Sequence, residues 1–249
     1  MRNSDQWKPG KFVFHGSKLR ASRDKREVSV SSRLITDLVA RHYQDYINRF
    51  ASGRLLDLGC GKVPLYEAYK DKVTSITCVD WANTLHPNQY IDFECDLTQP
   101  LPFPDGQFET IILSDVLEHI PEPLNLCKEI HRVLSDGGIL IMNVPFFYWL
   151  HETPHDYYRY TEFALRRFSD LVRLQLLEIK VIGGVPEVIT DIVAKTVVGL
   201  PAIGQALASV LQWLTMSLLT DGIGRHRKPR TSSAFPLGYF MITKKVAVA

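Results

Sequence analysis

The chain has 249 residues, 45% of them hydrophobic and 22% charged, with a formal net charge of +2. These values are those of a globular protein able to bury a core, and they exclude disordered, collagen-like and coiled-coil classes. The near balance of charge also removes the general electrostatic argument for a nucleic-acid partner.

Cys60, Cys78, Cys95 and Cys127 are dispersed without a C-x-x-C pair, which argues against a disulfide framework or a structural zinc site and fits a reducing compartment. The opening M-R-N-S-D-Q-W-K-P-G has no apolar stretch of the signal-peptide kind, so a cytoplasmic location is expected. Residues 1–30 are basic and polar and show no sustained period. Leu34, Ile35, Leu38, Val39, Tyr43, Tyr46 and Ile47 then recur at helical spacing and predict a leading helix over 31–50, packed on a sheet.

Short apolar runs at 54–58, 75–80, about 90–95, 110–114 and 138–144 alternate with helical segments. Parallel strands need crossovers, usually helical and right-handed, so this βα repeat predicts an α/β fold: an open, mostly parallel sheet covered on both faces, with ligands beyond the strands' carboxyl ends. Thr161 before Glu162 reads as a helix cap. After Asp170 the order becomes strand (174–181), apolar segment (186–220), basic loop and final strand (235–246). The expected organisation is one domain over 1–249, divided into an arm and helix (1–53), a core (54–182), an apolar helical insertion (183–233) and a last strand (234–249).

The first ligand signal is R-L-L-D-L-G-C-G at 54–61, a buried strand entering a glycine turn and then a helix that includes Leu65, Tyr66 and Ala68. Gly59 and Gly61 let the backbone approach a ligand and adopt positive φ. In G-C-G-K-V-P, Pro64 stands where a dinucleotide fingerprint has its third small residue, so a nicotinamide cofactor is disfavoured. Asp80 lies 80 − 59 = 21 residues after Gly59, close to the spacing at which a carboxylate meets ribose hydroxyls.

With D-L-G-C-G at 57–61, Asp80–Trp81, E-C-D-L at 94–97, F-E-T-I-I-L-S-D-V-L-E-H-I at 108–120 and L-S-D-G-G-I-L at 134–140, the sequence resembles class I S-adenosylmethionine-dependent methyltransferases, in particular the methyltransferase type 11 group. The likeness runs from about residue 55 to 144. It implies a Rossmann-like sheet of about seven strands, the last antiparallel, with S-adenosylmethionine as donor and S-adenosylhomocysteine as product. Asp57, Gly59, Cys60 and Gly61 would line the methionine end, Asp80 would hold ribose and Trp81 would pack near adenine. Asp96 would accept from the adenine amino group, the Leu97 backbone would meet the ring edge, and Ser114 and Asp115 would lie beside the sulfonium. A catalytically inactive donor-binding scaffold has the same motifs and stays an open alternative.

On the acceptor side, His119 and His155 are the candidate general bases, and Tyr157, Tyr158 and Arg159 suit a polar or anionic acceptor. His151, His155 and Asp156 form one short cluster with nothing apparent to orient it, so no metal is expected. No P-C dipeptide marks a cytosine C5 nucleophile and no N-P-P-Y-like clamp marks adenine, so the expected acceptor is a small molecule, a glycan or a lipid-linked compound. Residues 196–220 carry no charge, and Arg225, Arg227, Lys228 and Arg230 follow. This segment admits three readings: a lid or homodimer contact, a peripheral contact at the inner membrane surface, and a membrane span.

Overall fold

The computed structural model describes residues 1–82, 89–220 and 231–247. The basic residues 225–230 therefore lie outside the described residues. The chain groups into two compact units, one made of residues 1–8, 45–180 and 239–249, the other of residues 9–44 and 181–238.

The first unit is built on a seven-stranded sheet. Its strands are β3 (Arg54–Leu58), β4 (Ser75–Asp80), β5 (Phe93–Glu94), β6 (Phe108–Ser114), β7 (Leu134–Pro145), β8 (Leu174–Ile182) and β9 (Gly238–Lys245), in the order β5-β4-β3-β6-β7-β9-β8. β3 runs parallel to β4 and β6, β4 to β5, and β6 to β7. The sheet is mixed, mostly parallel with an antiparallel last strand, as the βα repeat and the family resemblance imply. Leu55, Leu56, Leu58, Ile111, Ile112, Leu113, Ile141 and Val144 are buried, the continuous apolar run expected of strands covered on both faces. Order reverses at β3, where β4 leaves on one side and β6 on the other, so the carboxyl ends of β3, β4 and β6 frame a switch-point crevice.

The helices of this unit follow their local chemistry. α3 (Pro123–Val133) starts with Pro at its first turn and buries Leu126, Cys127, Ile130 and Val133 on one face. α4 (Glu162–Leu171) is capped by Thr161, whose hydroxyl accepts from the Ala164 amide at 3.2 Å, as the sequence implies. The last turns of α1 (Arg33–Phe50) bring Tyr46 against Phe240 of β9, ring centroids 5.5 Å apart, with its hydroxyl donating to Glu178 at 3.0 Å.

Two elements of this unit differ from expectation. The strand expected at 90–95 is only the pair Phe93–Glu94, and the helix expected after the glycine turn is the single turn α2 (Tyr66–Tyr69), which leaves Leu65 outside. Pro64 and the left-handed Val63, at φ 52°, keep the chain out of helix until Tyr66. β7 begins four residues earlier than expected, because a register shift between Phe108 and Thr110 absorbs the turn-prone S-D-G-G stretch within the strand.

The second unit holds a hairpin, β1 (Phe12–His15) with β2 (Lys18–Ala21), the first turns of α1, and two antiparallel-packed apolar helices, α5 (Val185–Val197) and α6 (Gly204–Thr220). The hairpin falls in the stretch with no visible period. No helix among the described residues is long and apolar enough to cross a membrane, which removes the spanning reading of 196–220. Gly199 and Pro201 end α5 and force a break before α6. Ile189, Ile192, Leu207, Val210, Trp213 and Leu218 are exposed on these two helices.

Gln212 is buried and ties α6 to the start of α1: its Oε1 accepts from the Leu34 amide at 2.7 Å, and its Nε2 donates to the carbonyls of Val30 at 2.5 Å and Ala208 at 3.1 Å. It satisfies an amide of the first helical turn that has no partner within the helix. Gln212→Ala orphans the Leu34 amide and the Val30 carbonyl, and the expected loss is roughly 2–4 kcal/mol, read as a lower urea midpoint with an unchanged slope. A midpoint equal to that of the native chain would show that the bridge contributes nothing.

Candidate active site at the carboxyl ends of the strands

The crevice starts from backbone geometry. Gly59 follows the end of β3, with φ +69°, and Gly61 comes two residues later with φ +50°. The amides of Gly59 and Cys60 both donate to the Val79 carbonyl, at 2.8 and 3.0 Å. The Gly61 amide donates to Asp80 Oδ2 at 2.7 Å, and Asp80 Oδ1 accepts from the Trp81 amide at 2.7 Å. The turn after β3 is thus fastened to the end of β4 on both backbone and side chain. A Cβ on Gly59 would stand 2.4 Å from Val116 Cγ2, whereas one on Gly61 would meet nothing within 4 Å. Gly59 is dictated by packing; Gly61 leaves open space beside the backbone.

Asp57 is buried on β3 and accepts from the Tyr69 hydroxyl at 2.8 Å. Burial pushes its carboxyl up to about 7, with the Tyr69 hydrogen bond opposing and the charge of Asp80 adding. Cys60 is buried, and Asp96, after β5, accepts from the Thr98 amide at 2.9 Å beside the buried Leu97. Ser114 ends β6 opposite Asn143 of β7. Asp115 is left-handed at φ +52°, held by its amide on the Asn143 carbonyl at 3.0 Å and by Asn143 Nδ2 on its carboxylate at 2.5 Å. A strained non-glycine residue at the mouth of a strand is a common mark of a functional position.

The segment after β7 folds back over the segment after β6. The amides of Tyr157 and Tyr158 donate to the Glu118 carbonyl at 3.0 and 3.2 Å, and the Tyr160 hydroxyl donates to the Leu117 carbonyl at 3.0 Å. His155 packs edge-on against Trp81, with ring centroids 5.3 Å apart. His119 Nδ1 lies 2.8 Å from the His155 carbonyl; a carbonyl only accepts, so Nδ1 carries a proton, and in the neutral ring Nε2 carries the lone pair. Arg159 directs its guanidinium to Asp156, at 2.5 and 2.7 Å, and to the carbonyls of Trp149 and Tyr158. That pairing holds the Asp156 carboxyl down at about 2. The Tyr158 hydroxyl donates to the Pro121 carbonyl at 2.8 Å, while Tyr157 is exposed with its hydroxyl 3.3 Å from His155 Nδ1.

The structure therefore brings Asp57, Gly59, Cys60, Gly61, Asp80 and Trp81 together where β3 and β4 end, with Ser114, Asp115 and His119 beside them after β6. Asp96 and Leu97 stand after the neighbouring β5. Arg159 directs its donors into the loop itself and Tyr158 its hydroxyl to the segment after β6, while Glu152, Thr153, His155 and Tyr157 are exposed polar residues of the loop. Sequence reasoning missed Tyr69, Asn143 and Glu118. Glu118 sits in the quoted L-E-H run, but its burial depends on the segment after β7 and has no local signal.

Residues 56–142 match the family described as a methyltransferase domain. That stretch, about a third of the chain, supports a class I, S-adenosylmethionine-dependent methyltransferase. A stretch of 106 residues is 26% identical to the ubiquinone biosynthesis O-methyltransferase of Pseudomonas aeruginosa, covering 37% of this chain and 44% of that one. Another of 147 residues is 26% identical to the tRNA N(3)-cytidine methyltransferase of Gallus gallus, covering 49% of this chain and 40% of that one. The match thus spans less than half the length of these relatives. Among solved structures the cyclase SpnF has the same fold, with a TM-score of 0.57 at 16% identity over 96% of this chain and 88% of that one.

Two outcomes follow from the turn. Gly59→Ala meets both a left-handed backbone and a clash, Gly61→Ala only the former, so the first should lose roughly 2–4 kcal/mol and the second about 1 kcal/mol in chemical denaturation. Equal losses would mean that contact with Val116 is irrelevant. Asp57 has a raised carboxyl, so its contribution to stability is full below about pH 4, declines as pH rises toward 7 and is flat above. In the ligand-free protein, Asp57→Asn should remove up to about 4 kcal/mol of that decline, measured as the difference between urea-derived stabilities at the two ends of the window.

Proposed function

We propose that this chain binds S-adenosylmethionine in the crevice above Gly59 and transfers its methyl group to a small-molecule, glycan or lipid-linked acceptor. The observation that carries the reading is the Asp80 carboxylate, fixed by the amides of Gly61 and Trp81 at the lip of the glycine turn. A carboxylate oxygen can accept more than one hydrogen bond, so Asp80 has the chemistry to accept from ribose hydroxyls as well as from the turn. Asp57, Gly59, Cys60 and Gly61 would line the methionine end. Trp81, Asp96 and Leu97 would meet adenine, and Ser114 and Asp115 would stand by the sulfonium, whose positive charge a nearby carboxylate favours.

The sulfonium is already activated, so the protein's task is alignment and exclusion of water. The acceptor lone pair attacks the methyl carbon in line with the S–CH3 bond, that bond breaks, and S-adenosylhomocysteine leaves. Alignment of this kind is worth effective molarities of roughly 10⁵–10⁸ M. Where the acceptor is a hydroxyl, its proton passes to His155 and then to water, because the exposed His155 ring faces the mouth of the crevice beside Tyr157. Tyr157 supplies the polar contact to the acceptor, with Tyr158 and Arg159 shaping the loop that carries it. The exposed apolar side chains of α5 and α6 support a lipid-linked acceptor, a peripheral membrane contact or a second copy of the chain as what these helices meet, in a cytoplasmic setting.

Titration calorimetry with S-adenosylmethionine tests the donor half directly. Asp80→Ala should weaken binding by about 1–3 kcal/mol, a roughly 5- to 150-fold rise in Kd. Binding as tight as that of the native chain would remove Asp80 from the site, and absence of donor binding by the folded native chain would remove the reading itself.

A further inference from the structure

Glu118 is fully buried, yet among the described residues neither of its carboxylate oxygens has a hydrogen-bond partner. Buried carboxylates ordinarily have donors, an ion partner or a metal. Its Oε1 instead faces two imidazole nitrogens, His151 Nε2 at 3.7 Å and His119 Nε2 at 3.8 Å. These separations are too long for hydrogen bonds and close to those of atoms that share one ion. One ligand atom from each of the three residues lies within 4.8 Å of the other two. His119 Nε2 is likewise buried without a hydrogen-bond partner among the described residues.

Both rings are fixed so that a lone pair points inward. His119 uses Nδ1–H on the His155 carbonyl at 2.8 Å. His151 Nδ1 lies 3.3 Å from the Trp149 carbonyl and 3.4 Å from Asp156 Oδ2, and Asp156 is itself clamped by Arg159. A histidine that donates its remote nitrogen to a carbonyl or carboxylate has its near nitrogen free, which is how metal-binding imidazoles are oriented. The orienting groups that the sequence did not reveal are therefore present, around a different trio from the His151, His155 and Asp156 cluster.

We propose that Glu118, His119 and His151 hold a divalent first-row transition metal, Zn²⁺ or a close relative. Two imidazoles and one carboxylate suit such an ion, and three protein ligands leave at least one position open. A shift of a few tenths of an ångström on each side would bring all three atoms to bonding distances of about 2.0–2.2 Å. Glu118 and His119 follow Asp115 by three and four residues, so the ion would lie near the proposed transfer site, where its open position could take an acceptor oxygen. Only this last clause rests on the methyltransferase reading.

The full chain, stripped with chelator and dialysed, is titrated with Co²⁺ by visible absorption and with Zn²⁺ by calorimetry, and S-adenosylmethionine binding is measured on the same samples. One equivalent of metal is expected, with the intense d–d bands of a four- or five-coordinate Co²⁺ site. Glu118→Gln and His151→Ala should each weaken Zn²⁺ by at least roughly 100-fold, and Asp156→Asn by about 10–100-fold. His151 lies on a partly exposed loop, so His151→Ala decides the matter if Glu118→Gln fails to fold. No saturable binding, or binding unchanged in His151→Ala, overturns the proposal and assigns the gap to water. Donor binding without metal binding overturns only this inference; metal binding without donor binding overturns only the proposed transfer.

Discussion

The site depends on how the chain leaves the centre of a parallel sheet. At the ends of β3 and β4 the ladder stops, and several amides would face the crevice unpaired. The Val79 carbonyl collects two of them and the Asp80 carboxylate two more, which is feasible only if the chain at Gly59 and Gly61 turns left-handed. The same turn presses Gly59 onto Val116 and shuts Asp57 away from water beside Tyr69. A single knot of hydrogen bonds therefore sets the depth of the crevice, the position of the carboxylate at its lip and the unusual proton affinity of the acid beneath it.

That knot was legible because its parts are local. A buried strand, two glycines and an acid 21 residues on can be read in order along the chain, and their spatial meeting follows from parallel neighbours in register. Where the reading failed, tertiary context had overruled local pattern. Pro64 and a left-handed Val63 cut the helix after the turn to four residues. Gln205, Ser209 and Gln212 read as a thin polar stripe on an apolar helix; in the fold Gln212 is buried and serves the first turn of α1, 178 residues earlier. The hairpin at 12–21 rests on four-residue strands, too short for an alternation to stand out from a polar arm.

The acceptor side was the least legible part for the same reason. Glu118 and His151 are 33 residues apart in sequence and come from segments on either side of β7. Nothing in the L-E-H run says that its glutamate will be sealed in, since the sealing is done by the amides of Tyr157 and Tyr158 on its carbonyl and by the Tyr160 hydroxyl on Leu117. Of the two tyrosines expected to recognise the acceptor, Tyr158 ties its hydroxyl to the Pro121 carbonyl while Tyr157 stays exposed, and Arg159 is paired with Asp156.

The family match stops at residue 142, just before β7 ends at Pro145 and the chain enters the loop that carries His151, His155, Asp156 and Tyr157. The shared segment contains every residue of the turn, Asp80, Asp115, Glu118 and His119; the unshared loop supplies His151 and the exposed ring and phenol at the crevice mouth. The matched segment thus holds the turn and two of the trio's three residues, and the loop beyond it supplies the third, His151. A loop anchored at so many points, by Arg159 on Asp156 and by the Tyr157 and Tyr158 amides, the Tyr158 and Tyr160 hydroxyls and the His155 carbonyl on the segment after β6, offers a preformed surface with few side chains left to order when an acceptor arrives. Selectivity on such a surface is set by what it can pair, and an acceptor that leaves its buried polar atoms unmatched is rejected more strongly than one that merely fits less well.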